Sequence, residues 1–227
     1  MKRKKIRVII LLVALAMILA CVAYYFRGRF VSTNDSVSYN PATQKALIVY
    51  FSHANAIGVD AVSSASLASS NGEKRGNTEV IANIIAENIE ADVFEIVTEE
   101  PYPSDYDGTV DQAKEEQNVD ARPALATHIE NIEDYGIIFL GYPNWWGTIP
   151  MPVYTFIEEY DLSGKTIIPF VTHEGSGIGN SVLDIKNACS NSDIVKPLAI
   201  RGSNVSRDDT KADVIQWLEE IGMNNGY

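Results

Sequence analysis

From Ala46 onward the sequence alternates short apolar runs with longer segments of helical periodicity, and this alternation constrains the fold more than any other feature. Ala46 to Phe51 reads Ala-Leu-Ile-Val-Tyr-Phe, a run without a polar face, as expected of a strand covered on both sides. Asn77 to Glu90 then places Val80, Ile81, Ile84, Ile85 and Ile89 on one helical face. Asp92 to Val97 alternates like a strand nearer an edge, and Ser104 to Val119 reads as a polar, weakly amphipathic helix. Gly136 to Gly141, Thr166 to Val171 and Ile194 to Ile200 supply further strands. Met151 to Glu159, Gly179 to Ser190 and Ser206 to Ile221 supply helices, the last with Ser206 as its expected N-cap. Five strands and five helices in strict alternation predict an α/β fold, a doubly wound five-stranded parallel sheet in the order 2-1-3-4-5 with helices on both faces.

In such sheets the ligand lies beyond the carboxyl ends of the strands, where the strand order reverses. Three loops converge there. The first runs from Ser52-His53-Ala54-Asn55 to the helix entry Gly76-Asn77-Thr78-Glu79, interrupted by a Ser-, Ala- and Gly-rich insertion from Ala56 to Arg75 that reads equally well as an ordered flap or a flexible excursion. Hydroxyls and backbone N–H groups at a helix N-terminus suit a phosphate, and the lack of a Lys there disfavours a triphosphate with magnesium. Asn77 or Thr78 acting simply as a cap is an equal reading of that loop. The second loop, Tyr142-Pro143-Asn144-Trp145-Trp146-Gly147-Thr148-Ile149-Pro150, holds two adjacent indoles that cannot both enter the core. Either a flat ligand covers them, or one plugs the end of the sheet while the other covers a neighbouring helix. The third loop, Thr172-His173-Glu174-Gly175-Ser176-Gly177-Ile178-Gly179-Asn180, lets backbone approach a ligand closely. Its Ser176 and His173 hint at a hydrolase, but Glu174 stands where a nucleophile elbow needs glycine.

Charge divides the chain in two. Seven of the 18 Lys and Arg lie in residues 1 to 30, which contain no acid; the remainder carries 11 basic and 30 acidic residues, a formal −19. So acidic a domain offers nucleic acid no basic stripe; docking to basic partners and simply keeping the protein soluble are equal readings of the charge. Met1 to Arg7 is basic and Val8 to Phe26 is uncharged, roughly 28 Å as a helix, which predicts an N-terminal membrane anchor over residues 1–30 with Lys2 to Lys5 cytoplasmic. Ile18-Leu19-Ala20-Cys21 resembles a bacterial lipobox, so a lipid anchor at Cys21 and an uncleaved signal anchor are equal readings. Residues 31–45 read as a linker, and 46–227 as one domain on the outer face of the cell membrane. Cys21 and Cys189 are too differently placed for an intradomain disulfide, and no spacing suggests a metal site.

Taken together, Gly76-Asn77-Thr78, Gly141-Tyr142-Pro143-Asn144-Trp145-Trp146-Gly147 and Thr172-His173-Glu174-Gly175-Ser176-Gly177 resemble the flavodoxin family, in particular its bacterial branch with a Pro-x-Trp-Trp loop. The resemblance spans about Ala46 to Ile221. It implies a flavodoxin-like fold and non-covalent flavin mononucleotide (FMN), with Ser52, Asn77 and Thr78 on the phosphate. It further implies Pro143, Asn144, Trp145, Trp146 and Gly147 along the ring, and Thr172, His173, Glu174, Gly175, Ser176 and Gly177 on its other side. The insertion departs from the family's compact phosphate loop and leaves the middle phosphate donors unassigned, with Ala54 and Asn55 as substitutes.

The implied function is electron transfer with an unidentified redox partner protein, without a catalytic residue of the chain's own. Domain acidity, with Glu174 near the ring, would disfavour a reduced flavin anion and lower its potential. An FMN-dependent NAD(P)H:quinone or flavin reductase is the enzymatic alternative, with His173 as its candidate proton donor. A binding module without flavin is the third.

Overall fold

The computed structural model describes residues 44–53, 67–70 and 73–223. The expected anchor, the linker before residue 44, and Ala54 and Asn55 lie outside the described residues. Among those described, no helix is long and apolar enough to cross a membrane.

Strand β1 (Lys45–Phe51) is buried at every position after Lys45, as its uninterrupted apolar run requires. It pairs in parallel with β4 (Ala91–Ile96) on one side and β5 (Tyr135–Pro143) on the other. Beyond β5 lies β6 (Thr166–His173), and β6 is flanked by two short strands, β7 (Asp193–Ile194) and β8 (Leu198–Arg201). If β7 and β8 are read as one interrupted strand, the order is the expected 2-1-3-4-5.

That interruption has a chemical cause. Ile167 is level with Ile194 but Phe170 with Leu198, so the edge strand carries one extra residue. The Val195 N–H still donates to the Ile167 carbonyl at 3.0 Å. Two residues along, Pro169 turns the same side of its backbone to the edge and has no N–H to offer, and Pro197 lacks one in the opposing segment. The expected continuous strand from Ile194 to Ile200 is thereby split.

Helices α1 (Asn77–Ala86) and α5 (Asp208–Glu220) cover one face. Ile81 and Ile85 of α1, Val214, Trp217 and Leu218 of α5, and Ile48, Phe139, Ile168 and Phe170 of the sheet form one buried cluster. Each such side chain contributes about 1.5–3 kcal/mol by leaving water. The opposite face carries α3 (Met151–Glu159), whose Phe156 packs against Phe94, and α4 (Ser181–Ala188), whose Ser181 Oγ accepts from the buried Tyr142 hydroxyl at 3.0 Å. Helix α2 (Tyr106–Asn118) begins at Asp105, whose carboxylate accepts from the Gly108 N–H at 2.8 Å.

One expectation needs correction, and one open reading is narrowed. Helix α5 starts at Asp208 with Arg207 at its cap and no capping side chain, so Ser206 is not its N-cap; Asp208 and Asp209 complement the helix dipole instead. The insertion contains order: β2 (Leu67–Ser70) and β3 (Glu73–Gly76) form an antiparallel hairpin that runs directly into α1.

Candidate functional site

Strand register brings the three loops to one rim. Tyr50 is level with Gly141, and Gly141 with Phe170; two residues further along these chains stand Ser52, Pro143 and Thr172. The N-terminus of α1 closes on the same rim, because the Thr78 and Thr172 hydroxyls, both fully buried, are 2.9 Å apart. Asn77 is fully buried beside Thr78. At the helix entry the Gly76 N–H donates to the Glu79 carboxylate at 3.3 Å, so one orphan donor of the helix is already satisfied.

The second loop is a two-residue reverse turn. Trp145 and Thr148 exchange both backbone hydrogen bonds at 3.1 Å, and the residues between them, Trp146 and Gly147, have φ of +52° and +86°. Positive φ at both central positions is the geometry that suits a tight hairpin; Gly147 adopts it freely and Trp146 at a cost. The turn separates the indoles. Trp145 is half-buried and meets the rings of Phe51, Tyr102 and His53 edge-on, with centroids 5.4, 5.2 and 6.3 Å away. Trp146 is 50% exposed, its indole N–H donates to the Val110 carbonyl of α2 at 3.2 Å, and the Lys114 ammonium lies 4.8 Å from its ring centroid. One tryptophan therefore plugs the end of the sheet and the other lies along a helix, while half of Trp146 stays open at the rim.

The second and third loops are bolted together. Asn144 donates its backbone N–H to the Thr172 carbonyl and its side-chain amide to the Gly177 carbonyl, each at 2.7 Å. The Asn180 N–H donates to Gly147 at 2.7 Å, and Thr148 Oγ1 donates to Asp184 of α4. Gly179 is fixed by this seam: a Cβ there would stand 2.3 Å from the Gly147 carbonyl oxygen, at a φ of +54°. Two polar atoms at the rim, Ser52 Oγ and Asn144 Oδ1, are buried without a hydrogen-bond partner among the described residues.

His173 Nδ1 accepts from the Gly175 N–H at 2.9 Å, not from Ser176, so no serine–histidine pair forms. That bond needs an unprotonated Nδ1, and desolvation lowers the imidazole pKa below its ordinary value. Gly175 and Ser176 are exposed at the loop tip and Gly177 is half-buried at a φ of +60°. Glu174 accepts from Arg201 Nε at 3.0 Å and from the Ser203 N–H at 2.7 Å. Its charge is thus paired with Arg201, which offsets part of the negative field expected from Glu174. Sequence reasoning also missed His53, which is 9% exposed and donates from Nε2 to the Pro103 carbonyl at 3.0 Å, and the α2 side chains beneath Trp146. A lone polar residue after a strand and a polar helix carried no signal for either.

The flavodoxin family profile matches residues 66–221. No curated protein sequence is significantly similar to the chain. Among solved structures, a protein from Bacteroides eggerthii, provisionally named a flavoprotein, is 28% identical with a TM-score of 0.58, covering 79% of this chain and 98% of that one. A second such protein, from Bacteroides uniformis, is 26% identical with a TM-score of 0.60, covering 78% and 98%. A flavoprotein from Lactobacillus acidophilus in complex with FMN shares the fold at 20% identity and a TM-score of 0.50, covering 75% and 97%. With the profile spanning most of the folded domain and the strand order, rim and loops described above, the chain belongs to the flavodoxin family.

Proposed function

We propose that the protein binds FMN at the rim formed by Ser52, Pro143 and Thr172 and passes electrons through it to a redox partner. The observation that carries this reading is the convergence of three adjacent strand ends and one helix N-terminus on a rim with buried polar atoms left to be satisfied. The FMN complex of the Lactobacillus acidophilus flavoprotein supports it as a shared-fold precedent.

The residues present fit the group. The orphaned Ser52 hydroxyl and the N-terminal N–H groups of α1, with Asn77 and Thr78, would hold the phosphate. The Thr78–Thr172 bond sets where that helix end points. The Pro143–Gly147 turn offers the half-open face of Trp146 to the ring, and Thr172–Gly177 lies on the other side of the seam. FMN, when bound, supplies one- and two-electron chemistry at a potential set by its surroundings. The chain's part is to bind, orient and shield. The aromatic group of Phe51, His53, Tyr102 and Trp145 keeps water from the sheet end, and the bolted loops resist opening. His173, with Nδ1 engaged by Gly175, keeps Nε2 as the atom from which a proton would leave.

The basic cluster Lys2 to Lys5 followed by the uncharged run Val8 to Phe26 supports tethering at the outer face of the cell membrane. Titration of the full chain in detergent micelles with FMN, followed by flavin fluorescence and then by reductive titration, tests the reading. Saturable one-to-one binding with slow NADPH oxidation is expected of an electron carrier. Rapid NADPH turnover without an added reductase assigns the chain to the reductases, and refusal of FMN overturns the flavin reading. Mass measurement of membrane-extracted protein distinguishes cleavage before Cys21 from an intact anchor.

A further inference from the structure

We propose that Asn144 Oδ1 is the acceptor for the ring N–H that lies between the two carbonyls of the flavin's pyrimidine edge, N3–H, an inference that rests on the FMN reading above. Asn144 is 9% exposed and held at two points: its backbone N–H on the Thr172 carbonyl and its side-chain N–H on the Gly177 carbonyl, each at 2.7 Å. The second bond fixes which end of the carboxamide is oxygen. Turned over, Oδ1 would face the Gly177 carbonyl oxygen, acceptor against acceptor, so Oδ1 is the atom left pointing away from that seam. Gly179 confines the group further, since even a Cβ there would lie 3.0 Å from Asn144 Nδ2.

A buried amide oxygen without a donor is destabilising, and the chain supplies no donor among its described residues. A ligand N–H can satisfy it. The pyrimidine edge of a flavin presents acceptor, donor, acceptor, so its complement needs one acceptor between donors. The glycine-rich third loop is rich in backbone N–H donors, and Asn144 is the side chain fastened to that loop with an acceptor to spare. Asn144 is thus a positioning residue for the ring edge, set by the loop seam before the ligand arrives.

The experiment compares FMN with 3-methyl-FMN, which lacks the N–H, on the full chain in detergent and on the variants Asn144→Ala and Asn144→Leu. The wild type is expected to bind FMN about tenfold more tightly than the methylated form, and both variants are expected to lose about tenfold for FMN and to discriminate no further. Equal discrimination by wild type and Asn144→Leu overturns the assignment. So does a variant that binds oxidised FMN normally but shifts its reduction potentials, because the acceptor would then serve an N–H that exists only after reduction. Should both variants fail to fold, wild-type protein with FMN labelled with ¹⁵N at N3 still decides the matter. Slow exchange of that proton with solvent, together with a shift of the Asn144 side-chain amide resonances when FMN binds, supports the proposal, and exchange as fast as in free FMN overturns it. If wild type binds neither flavin, the FMN reading itself fails, a result distinct from all of these.

Discussion

Thr78 and Thr172, 94 residues apart in sequence, place their buried hydroxyls 2.9 Å from one another and so join the N-terminus of α1 to the end of β6. Replacing Thr172 with Val leaves Thr78 Oγ1 without that partner in a dry site. The expected loss is about 1–3 kcal/mol, read as a lower urea midpoint at an unchanged slope. The double variant Thr78→Val/Thr172→Val should recover part of that loss, since two apolar groups of similar shape leave no orphan. A double variant as unstable as the sum of the singles would show that the hydroxyls act separately.

Gly141 sits where β5 passes under Phe170. A Cβ at Gly141 would lie 2.0 Å from Phe170 Cζ, deep in the cluster beneath α1 and α5. Gly141→Ala is therefore expected to destabilise by about 1–3 kcal/mol through overpacking, and Phe170→Leu in the same chain to restore part of it. Thermal unfolding of the single and double variants checks this. An unchanged midpoint for Gly141→Ala would mean that the sheet yields at that point.

The sheet was legible because its strands are buried on both faces: Ile48, Phe139 and Ile168 leave no polar residue to blur the pattern. The site was legible as loops but not as contacts. That Asn144 bridges to Gly177, or that Arg201 pairs with Glu174, depends on chain segments roughly thirty residues apart whose registry no local periodicity encodes. The split of the fifth strand was written in Pro169 and Pro197, yet it appears only when the two segments are set side by side.

Trp146 holds a left-handed backbone conformation, φ +52°, with half its surface open. Trp146→Ala is expected to leave the unliganded fold nearly as stable as before, because the ring covers only the flank of α2. FMN affinity should fall by a factor of about 2–13, corresponding to about 0.5–1.5 kcal/mol for one aromatic contact. Trp146→Gly should lose the same affinity while gaining stability from relief of the positive φ. Unaltered FMN binding by both variants would remove Trp146 from the ring site and leave it as a helix cover.

His53 gives the site a pH dependence with a definite sign. Burial against Tyr102 and Trp145 lowers its pKa below 6.5, opposed in part by the hydrogen bond to the Pro103 carbonyl. With the folded pKa depressed, the unfolded chain takes up the proton first as pH falls, so the unfolded state binds more protons just below pH 6.5. The stabilisation due to neutral His53 is fully present above its unfolded pKa and is lost progressively as pH falls toward the lower folded pKa. Urea midpoints measured between pH 7.5 and pH 5 should therefore decline more steeply for the wild type than for His53→Gln, which keeps a side-chain donor for Pro103 and cannot titrate. Parallel declines in the two proteins would assign the acid sensitivity to other groups, among them His173, whose pKa is also lowered by burial.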